Sequence, residues 1–200
     1  MELKRDFMRR RIILCLLLGL LYIPSIYADK FAIGLKYFGL SIHPNGAVNS
    51  SLMPLKFEDK GVFVLNLGVS AGIEYFLPLD FLSIKFIQGL YFDCIGKFAG
   101  FSHIGLRGRF LKIGTFSVNG GIGPTFIYRR SWYEVPEYDD SFSFFNGTKD
   151  DEWQWRFIWY GGEIEFNNEI NKSLEFSVTF IPGYPDLMNL SFGVKYKIEN

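Results

Sequence analysis

Apolar residues occupy every second position over long stretches of this chain, and this alternation limits the folds open to it more than any other feature. Between Val62 and Tyr75, large apolar side chains alternate with small or polar ones. The apolar positions of this stretch are Phe63, Leu65, Leu67, Val69, Ala71, Ile73 and Tyr75. Successive side chains of a β-strand point to opposite faces, so a period of two predicts a strand with one apolar and one polar face. No stretch after Ala28 has the period of an amphipathic helix.

Eight segments show this alternation and are predicted to be strands. They are Lys30–Ile42, Val62–Tyr75, Phe81–Gly96, Ser102–Leu111, Thr115–Arg130, Trp153–Phe166, Ser173–Phe180 and Met188–Ile198. In the sixth segment the aromatic residues share a register with two later glutamates. The residues concerned are Trp155, Phe157, Trp159, Glu163 and Glu165. Such a change within one strand predicts a β-bulge or an aromatic rim.

The links between the predicted strands alternate in length. Short links follow strands two, four and six, at Leu77–Asp80, Lys112–Gly114 and Asn167–Lys172. The two longest, His43–Gly61 and Ser131–Glu152, follow strands one and five. Long and short links therefore lie at opposite ends, as in outer-membrane barrels with short periplasmic turns and longer outer loops. With both termini at the short-turn end, an even number of strands closes an up-and-down antiparallel β-barrel.

The two registers predict which face meets lipid. The polar register is rich in Gly, Ser, Asn and Thr, which suit the narrow interior of an eight-stranded barrel. The apolar register is too large to be buried inside such a cylinder, and it needs an apolar solvent outside. Leu65, Val178 and Phe192 are therefore predicted to point outward. The alternative of a soluble, periplasmic lipocalin-like binding protein requires an apolar lumen and a polar exterior.

Aromatic side chains collect toward the ends of the predicted strands, in a chain with 22 Phe and 11 Tyr. This placement is typical of the aromatic girdles that flank the apolar band of membrane barrels. The predicted girdle consists of Tyr37, Phe38, Tyr75, Phe76, Tyr128, Trp132, Tyr133, Trp153, Trp155, Trp159 and Tyr196.

The first 28 residues have the layout of a secretory signal peptide. A basic segment precedes an apolar run from Ile12 to Ile23, and a small residue, Ala28, lies at the expected cleavage position. We therefore expect residues 1–28 to be removed on export and residues 29–200 to form a single outer-membrane barrel domain. The signal carries five Lys or Arg and two Asp or Glu, which leaves 16 basic against 19 acidic residues. This slightly acidic balance gives no reason to expect nucleic-acid binding.

The signal peptide, the length of the mature chain and the eight strands together resemble the small outer-membrane β-barrel proteins of the OmpA-type, porin-like family. The resemblance implies a location in the bacterial outer membrane, among lipid and lipopolysaccharide, and assembly by the barrel-assembly machinery. That machinery reads a last strand of alternating hydrophobic residues, which Phe192, Val194, Tyr196 and Ile198 provide. The chain departs from the family pattern in ending at Asn200 rather than at an aromatic residue.

Twelve charged residues fall in positions predicted to face the lumen. They are Lys36, Glu74, Lys85, Asp93, Arg107, Arg109, Arg129, Arg156, Glu163, Glu165, Glu175 and Lys195. Buried charges must be paired or hydrated, so the set predicts a salt-bridge network that plugs the lumen. The alternative is a narrow polar pathway, for which an eight-stranded barrel has little room.

A single fragment has a catalytic appearance. Ser102 and His103 are loosely similar to the histidine-centred segment of the lipid A 3-O-deacylases, which would imply ester hydrolysis. That family places its serine two residues after the histidine, where this chain has Gly105. Ser102 and His103 are also predicted to face opposite sides of a strand, which hampers a nucleophile–base hydrogen bond. We therefore assign no catalytic residue and expect no enzymatic activity, with a deacylase-like hydrolase as the alternative.

The long links hold the remaining candidates for function. The segment 131–152 is acidic and aromatic, so it offers oxygen ligands and stacking surfaces without a regular metal-ligand spacing. No cofactor-binding or metal-binding residue is assigned. The sequence predicts an integral outer-membrane protein with a structural or surface-interaction role, in which loops 43–61 and 131–152 would contact any extracellular ligand.

Overall fold

A computed structural model of the chain describes residues 31–79, 81–141, 144–183 and 187–198. The predicted signal peptide, residues 1–28, lies outside this part of the chain. The described residues form eight strands. These are β1 (Phe31–Ile42), β2 (Phe63–Phe76), β3 (Leu82–Phe92), β4 (Phe98–Ile113), β5 (Phe116–Arg130), β6 (Trp153–Glu169), β7 (Leu174–Gly183) and β8 (Leu187–Ile198). No helix in this part of the chain has the length and apolar content needed to cross a bilayer.

The strands form one closed barrel in sequence order. Each strand is antiparallel to its neighbours, and β1 closes the cylinder by pairing with β8. Phe31 lies opposite Tyr75 of β2 on one side and opposite Ile198 of β8 on the other. The predicted eight-stranded, up-and-down antiparallel barrel is confirmed.

The predicted strand limits hold with two main corrections. The third strand ends at Phe92, because the side chain of Asp93 accepts hydrogen bonds from the backbone amides of Ile95 and Lys97 and closes a turn. Gly96 completes this turn with a φ of 80°, a value that favours glycine. The fourth strand begins at Phe98, four residues before the predicted start.

The two ends of the barrel differ, as the link lengths predicted. We call the end that carries residues 43–62, 93–97 and 131–152 the long-loop end. The opposite, short-turn end carries the links 77–81, 114–115 and 170–173.

The outer surface of the barrel is apolar. Leu35, Val69 and Ile122 are 58%, 52% and 60% exposed, although each lies within a strand. Phe192 points outward as predicted, and Leu65 and Val178 lie half-buried in the same outward register. This arrangement is the reverse of the one that a soluble lipocalin-like protein needs.

A bulge between β5 and β6 resolves the register conflict seen in the sequence. Gly123 pairs with Gly161, whereas Thr125 pairs with Ile158, so β6 contains an extra residue in between. On its other side β5 approaches β4 so closely that a Cβ on Gly123 would overlap the carbonyl oxygen of Ile104. The predicted bulge is confirmed, and it lets β6 present aromatic side chains outward at one end and glutamates inward at the other.

Two residues of the predicted aromatic girdle were placed wrongly. Phe38 is 0% exposed and lies inside the barrel, because it shares the inward register of Lys36. Trp132 is buried under the loops of the long-loop end. Two other members, Tyr128 and Trp153, form an outer aromatic cluster with Phe98, which the prediction did not include. The ring centroid of Trp153 lies 6.0 Å from that of Tyr128 and 6.2 Å from that of Phe98.

Candidate functional site

Side chains of the inward register fill the barrel in three layers. A charged layer lies toward the short-turn end, an apolar layer follows it, and a cavity opens at the long-loop end. We refer to these as the charged layer, the apolar layer and the mouth cavity.

The charged layer consists of four basic and four acidic side chains, all less than 9% exposed. They are Lys36, Lys85, Arg107, Lys195, Glu74, Glu163, Glu165 and Glu175. Four strands supply the cations, and three supply the carboxylates. The equal numbers make this part of the interior electrically neutral, which is the condition under which buried charges are tolerated.

Glu165 is the centre of the charged layer. Its Oε2 accepts hydrogen bonds from Lys36 Nζ at 2.6 Å and from Lys85 Nζ at 2.5 Å. Its Oε1 accepts from Arg107 Nη2 at 2.6 Å. One buried carboxylate therefore connects β6 to strands on the opposite side of the barrel.

Arg107 links a second carboxylate to the same centre. Its Nη1 donates to Glu74 Oε2 at 2.6 Å, and Lys195 Nζ lies 3.0 Å from Glu175 Oε2. The free space among these side chains is about 20 Å³, enough for about one water molecule. The predicted salt-bridge network is thus present, and this small free space leaves little room for the alternative, a polar pathway.

Not every charged residue of the inward register belongs to this network. Arg109 is exposed because β3 begins only at Leu82, opposite Gly108, so β3 does not extend alongside β4 beyond that point. Arg156 is exposed because the β6–β7 ladder stops at Ile164. Both lie in the predicted inward register, but neither is enclosed in the lumen as the prediction of buried charges required.

An apolar layer separates the charged layer from the mouth cavity. Its residues are Phe38, Ile87, Tyr91, Ala99, Phe101, Ile127 and Ile181. The ring of Phe38 lies 4.5 Å from that of Tyr91 and 5.3 Å from that of Phe101. The lumen is therefore not uniformly polar, as the alternation had suggested, but contains an aromatic barrier across its middle.

Ser102 and His103 point to opposite faces of β4, as predicted. Ser102 Oγ donates to Gln88 Oε1 at 2.6 Å on the outer face. His103 is buried in the lumen, where its Nδ1 lies 2.7 Å from Thr125 Oγ1. The two side chains do not touch, so this pair lacks the hydrogen bond that a serine nucleophile needs from its base.

The mouth cavity has a volume of about 340 Å³. Residues of both long loops line it, together with inward side chains from the upper ends of the strands. The loops are joined above it: Asn49 Nδ2 donates to Asp139 O at 2.8 Å, and Asp139 N donates to Asn49 Oδ1 at 2.8 Å. This pair of hydrogen bonds holds the two loops together across a separation of 90 residues.

Arg129 is the principal cation of the mouth cavity. Its guanidinium carbon lies 3.9 Å from the ring centroid of Trp132 and 4.1 Å from that of Phe145. Its Nε donates to Gln154 Oε1 at 2.9 Å, and its Nη2 donates to Tyr138 Oη at 3.1 Å. Aromatic stacking and two neutral acceptors thus fix the guanidinium in the cavity wall.

Asp93 and Cys94 also line the mouth cavity. Trp132 Nε1 donates to Asp93 Oδ2 at 2.8 Å, and the other carboxylate oxygen accepts from two backbone amides. Burial raises the pKa of Asp93 above its ordinary value. Burial, followed by the nearby Asp93 carboxylate, raises the pKa of the Cys94 thiol to about 12. Asp93 had been predicted on a strand facing the lumen, and it lies instead in the turn after β3.

The described residues contain no group of three or more His, Cys, Asp or Glu side chains arranged to hold a metal ion. The sequence offered no signal for the mouth cavity, because its walls come from segments far apart in the chain. The one hint was the aromatic and acidic character of residues 131–152.

Comparison with solved structures finds other small barrels. The N-terminal β-barrel domain of Pseudomonas aeruginosa OprF is 13% identical, with 83% of this chain and 96% of that chain covered and a TM-score of 0.44. The Yersinia pestis outer membrane protein Ail in a phospholipid bilayer nanodisc is 10% identical, with 84% and 99% covered and a TM-score of 0.45. Ail in complex with the heparin analogue sucrose octasulfate is 8% identical, with the same coverage and a TM-score of 0.47.

No family model and no curated protein matches the chain. The solved structures resemble it in general architecture and give no correspondence between individual residues. The strand pairing of this chain itself establishes the closed eight-stranded barrel.

Proposed function

We propose that this protein is an integral bacterial outer-membrane protein whose closed barrel presents an interaction surface at its long-loop end. In this proposal residues 1–28 direct export and are removed. The barrel then spans the bilayer with its short turns in the periplasm and its long loops outside the cell.

The observation that carries the proposal is the contrast between the outer and inner faces of the barrel. Large apolar side chains cover the outside, whereas eight ionised side chains are buried inside. In water this arrangement would expose apolar surface on every strand. In lipid it is favourable, because the closed barrel pairs each strand with both neighbours and the apolar side chains meet hydrocarbon.

The filled interior favours a role other than a diffusion pore. The charged layer is neutral and leaves space for about one water molecule, and the apolar layer crosses the lumen above it. Ser102 and His103 do not touch, so no observation favours the hydrolase alternative. A structural or surface-interaction role through loops 43–61 and 131–152 remains as the proposed function.

The proposal also names the surroundings of the barrel. Outer-membrane lipid and lipopolysaccharide would contact its apolar exterior, and the barrel-assembly machinery would insert it. The alternating outward residues of β8 support the second point, since Phe192, Val194 and Tyr196 are all exposed along the closing strand.

Expression of the full chain in a Gram-negative bacterium tests the proposal. We expect the protein in the outer-membrane fraction, with the N-terminal sequence beginning near Asp29 and with different gel mobility in boiled and unboiled samples. Recovery from the soluble periplasm, with no mobility difference, would rule out the membrane barrel. Stepwise ion conductance in planar lipid bilayers would instead contradict the closed lumen while leaving the membrane location intact.

A further inference from the structure

The mouth cavity contains a buried cation that no carboxylate of the described residues neutralises at contact distance. Arg129 is 9% exposed, yet the described residues include no Asp or Glu oxygen within 4.0 Å of its guanidinium nitrogens. Its Nε and Nη2 donate to neutral oxygens, and Nη1 has no acceptor in the described part of the chain. A buried charge is costly unless an opposite charge or strong hydrogen bonds compensate it, so this wall of the cavity is prepared for a negative group.

The other charge in the cavity does not fill this role. Both oxygens of Asp93 already accept hydrogen bonds, from the Trp132 indole and from two backbone amides. Asp93 is therefore part of the wall that positions Trp132, whose ring stacks on Arg129. The carboxylate offsets part of the positive potential without occupying the free edge of the guanidinium.

A cationic ligand fits this cavity poorly. Aromatic rings bind cations through their faces, and the guanidinium of Arg129 already stacks on the rings of Trp132 and Phe145. A ligand cation would also meet the positive charge of Arg129. The chemistry of the wall therefore selects against amines.

Apolar side chains form a large part of the remaining cavity lining, beside polar residues that include Ser41, Asn45 and Asn66. Ala47, Val48, Met53, Val64 and Phe144 contribute to its lining. Its volume of about 340 Å³ corresponds to roughly ten water molecules, and it lies at the small end of the ~300–1,000 Å³ range of small-molecule sites. The lining thus matches a small molecule with one charged end.

We propose that the mouth cavity binds small organic carboxylates with an apolar body, and that Arg129 receives the carboxylate at its free Nη1 edge. The proposal extends the proposed function and rests on it in one respect. The ligand would reach the cavity from outside the cell, where the proposed function places the long loops. It identifies the interaction surface as a small-molecule pocket between the loops.

Binding can be measured on protein purified from membranes of cells that express the full chain, labelled with ¹⁵N-tryptophan and held in lipid nanodiscs. The probe is 3-phenylpropionate, and the readout is the NMR signal of the indole N–H group of Trp132. We expect saturable shifts with 3-phenylpropionate and at least tenfold weaker binding of the neutral amide, 3-phenylpropionamide. Arg129→Gln should weaken binding of the acid at least tenfold, whereas the matched control Arg130→Gln, at an exposed neighbouring arginine, should leave it unchanged.

Equal binding of the acid and the amide, or equal loss in the two arginine variants, would overturn the proposal. If Arg129→Gln fails to fold, Arg129→Lys provides the second variant, since it keeps the charge and should retain the preference for the acid over the amide. A folded, heat-modifiable barrel without saturable binding would contradict the pocket and leave the membrane function standing. A protein that never reaches the outer membrane would contradict the proposed function itself.

Discussion

The charged layer can be tested at Glu165, where one substitution removes a charge with almost no change in side-chain size. Glu165 is 0% exposed and accepts hydrogen bonds from Lys36, Lys85 and Arg107. Glu165→Gln keeps an oxygen acceptor at this position. It leaves four basic side chains facing three carboxylates in an interior that solvent does not reach.

The magnitude follows from distance and burial. Two unit charges ~4 Å apart interact by about 4 kcal/mol at an effective dielectric constant of about 20. Glu165 lies within 4 Å of four cationic side chains, and desolvation offsets part of this attraction. Removing one partner from a buried ion pair costs about 3–5 kcal/mol. We therefore expect Glu165→Gln to lower the free energy of unfolding by about 3–5 kcal/mol.

Urea unfolding in phospholipid vesicles, followed by tryptophan fluorescence and gel mobility, measures this loss. Lys112→Gln is the matched control, because it breaks an exposed pair with Glu169 and should cost at most about 1 kcal/mol. A double variant, Glu165→Gln with Lys36→Met, restores neutrality and should lose less stability than Glu165→Gln alone. If Glu165→Gln costs no more than Lys112→Gln, the charges are hydrated and the closed-lumen reasoning is wrong.

Three further predictions concern other parts of the barrel. Burial raises the pKa of Cys94 to about 12, and the thiolate is the form that reacts. Iodoacetamide at about pH 8 should therefore alkylate the folded protein on the order of a thousand-fold more slowly than the urea-unfolded chain. Equal rates would contradict the burial of this thiol. Val69→Lys places a charge on the outer face and should cost about 2–4 kcal/mol in lipid, whereas Val69→Leu should be nearly neutral in the same urea titration. Asn49→Ala removes two hydrogen bonds between the loops, so it should accelerate proteolysis within residues 131–152. The free energy of unfolding should change by no more than about 2–3 kcal/mol. An unchanged cleavage rate would show that the loops are held by other contacts.

The strands were predictable because the outer face and the lumen of a closed barrel impose opposite demands on alternate residues. Leu67 and Val69 are exposed on the outer face, whereas Ser70, the residue after Val69, is buried inside. This contrast between alternate residues is visible in the sequence itself. The same register also predicted that Ser102 and His103 diverge. The bulge in β6 could be predicted because it changes which residues of one strand share a face.

The errors arose where the burial of a side chain depends on its position along the strand or on contacts with distant residues. Phe38 was assigned to the girdle from its aromatic character, although its register places it inside with Lys36. Arg109 and Arg156 lie in the inward register but beyond the ends of neighbouring strands, and those ends depend on other segments. Trp132 is buried through contacts with Asp93 and Arg129, and no local pattern indicates a partner 39 residues away.

The apolar layer has a consequence for how such a barrel can change. It insulates the buried ions on one side from solvent entering the cavity on the other, so the electrostatics of the scaffold do not depend on what the loops contain. Residues 43–62 and 131–152 can therefore accept substitutions or grafted segments, while the charged layer on the other side of Phe38 and Phe101 keeps its charge balance. Under the proposed function, the loops that would contact a ligand could therefore diverge in sequence while the closed, charge-balanced part of the barrel stays the same.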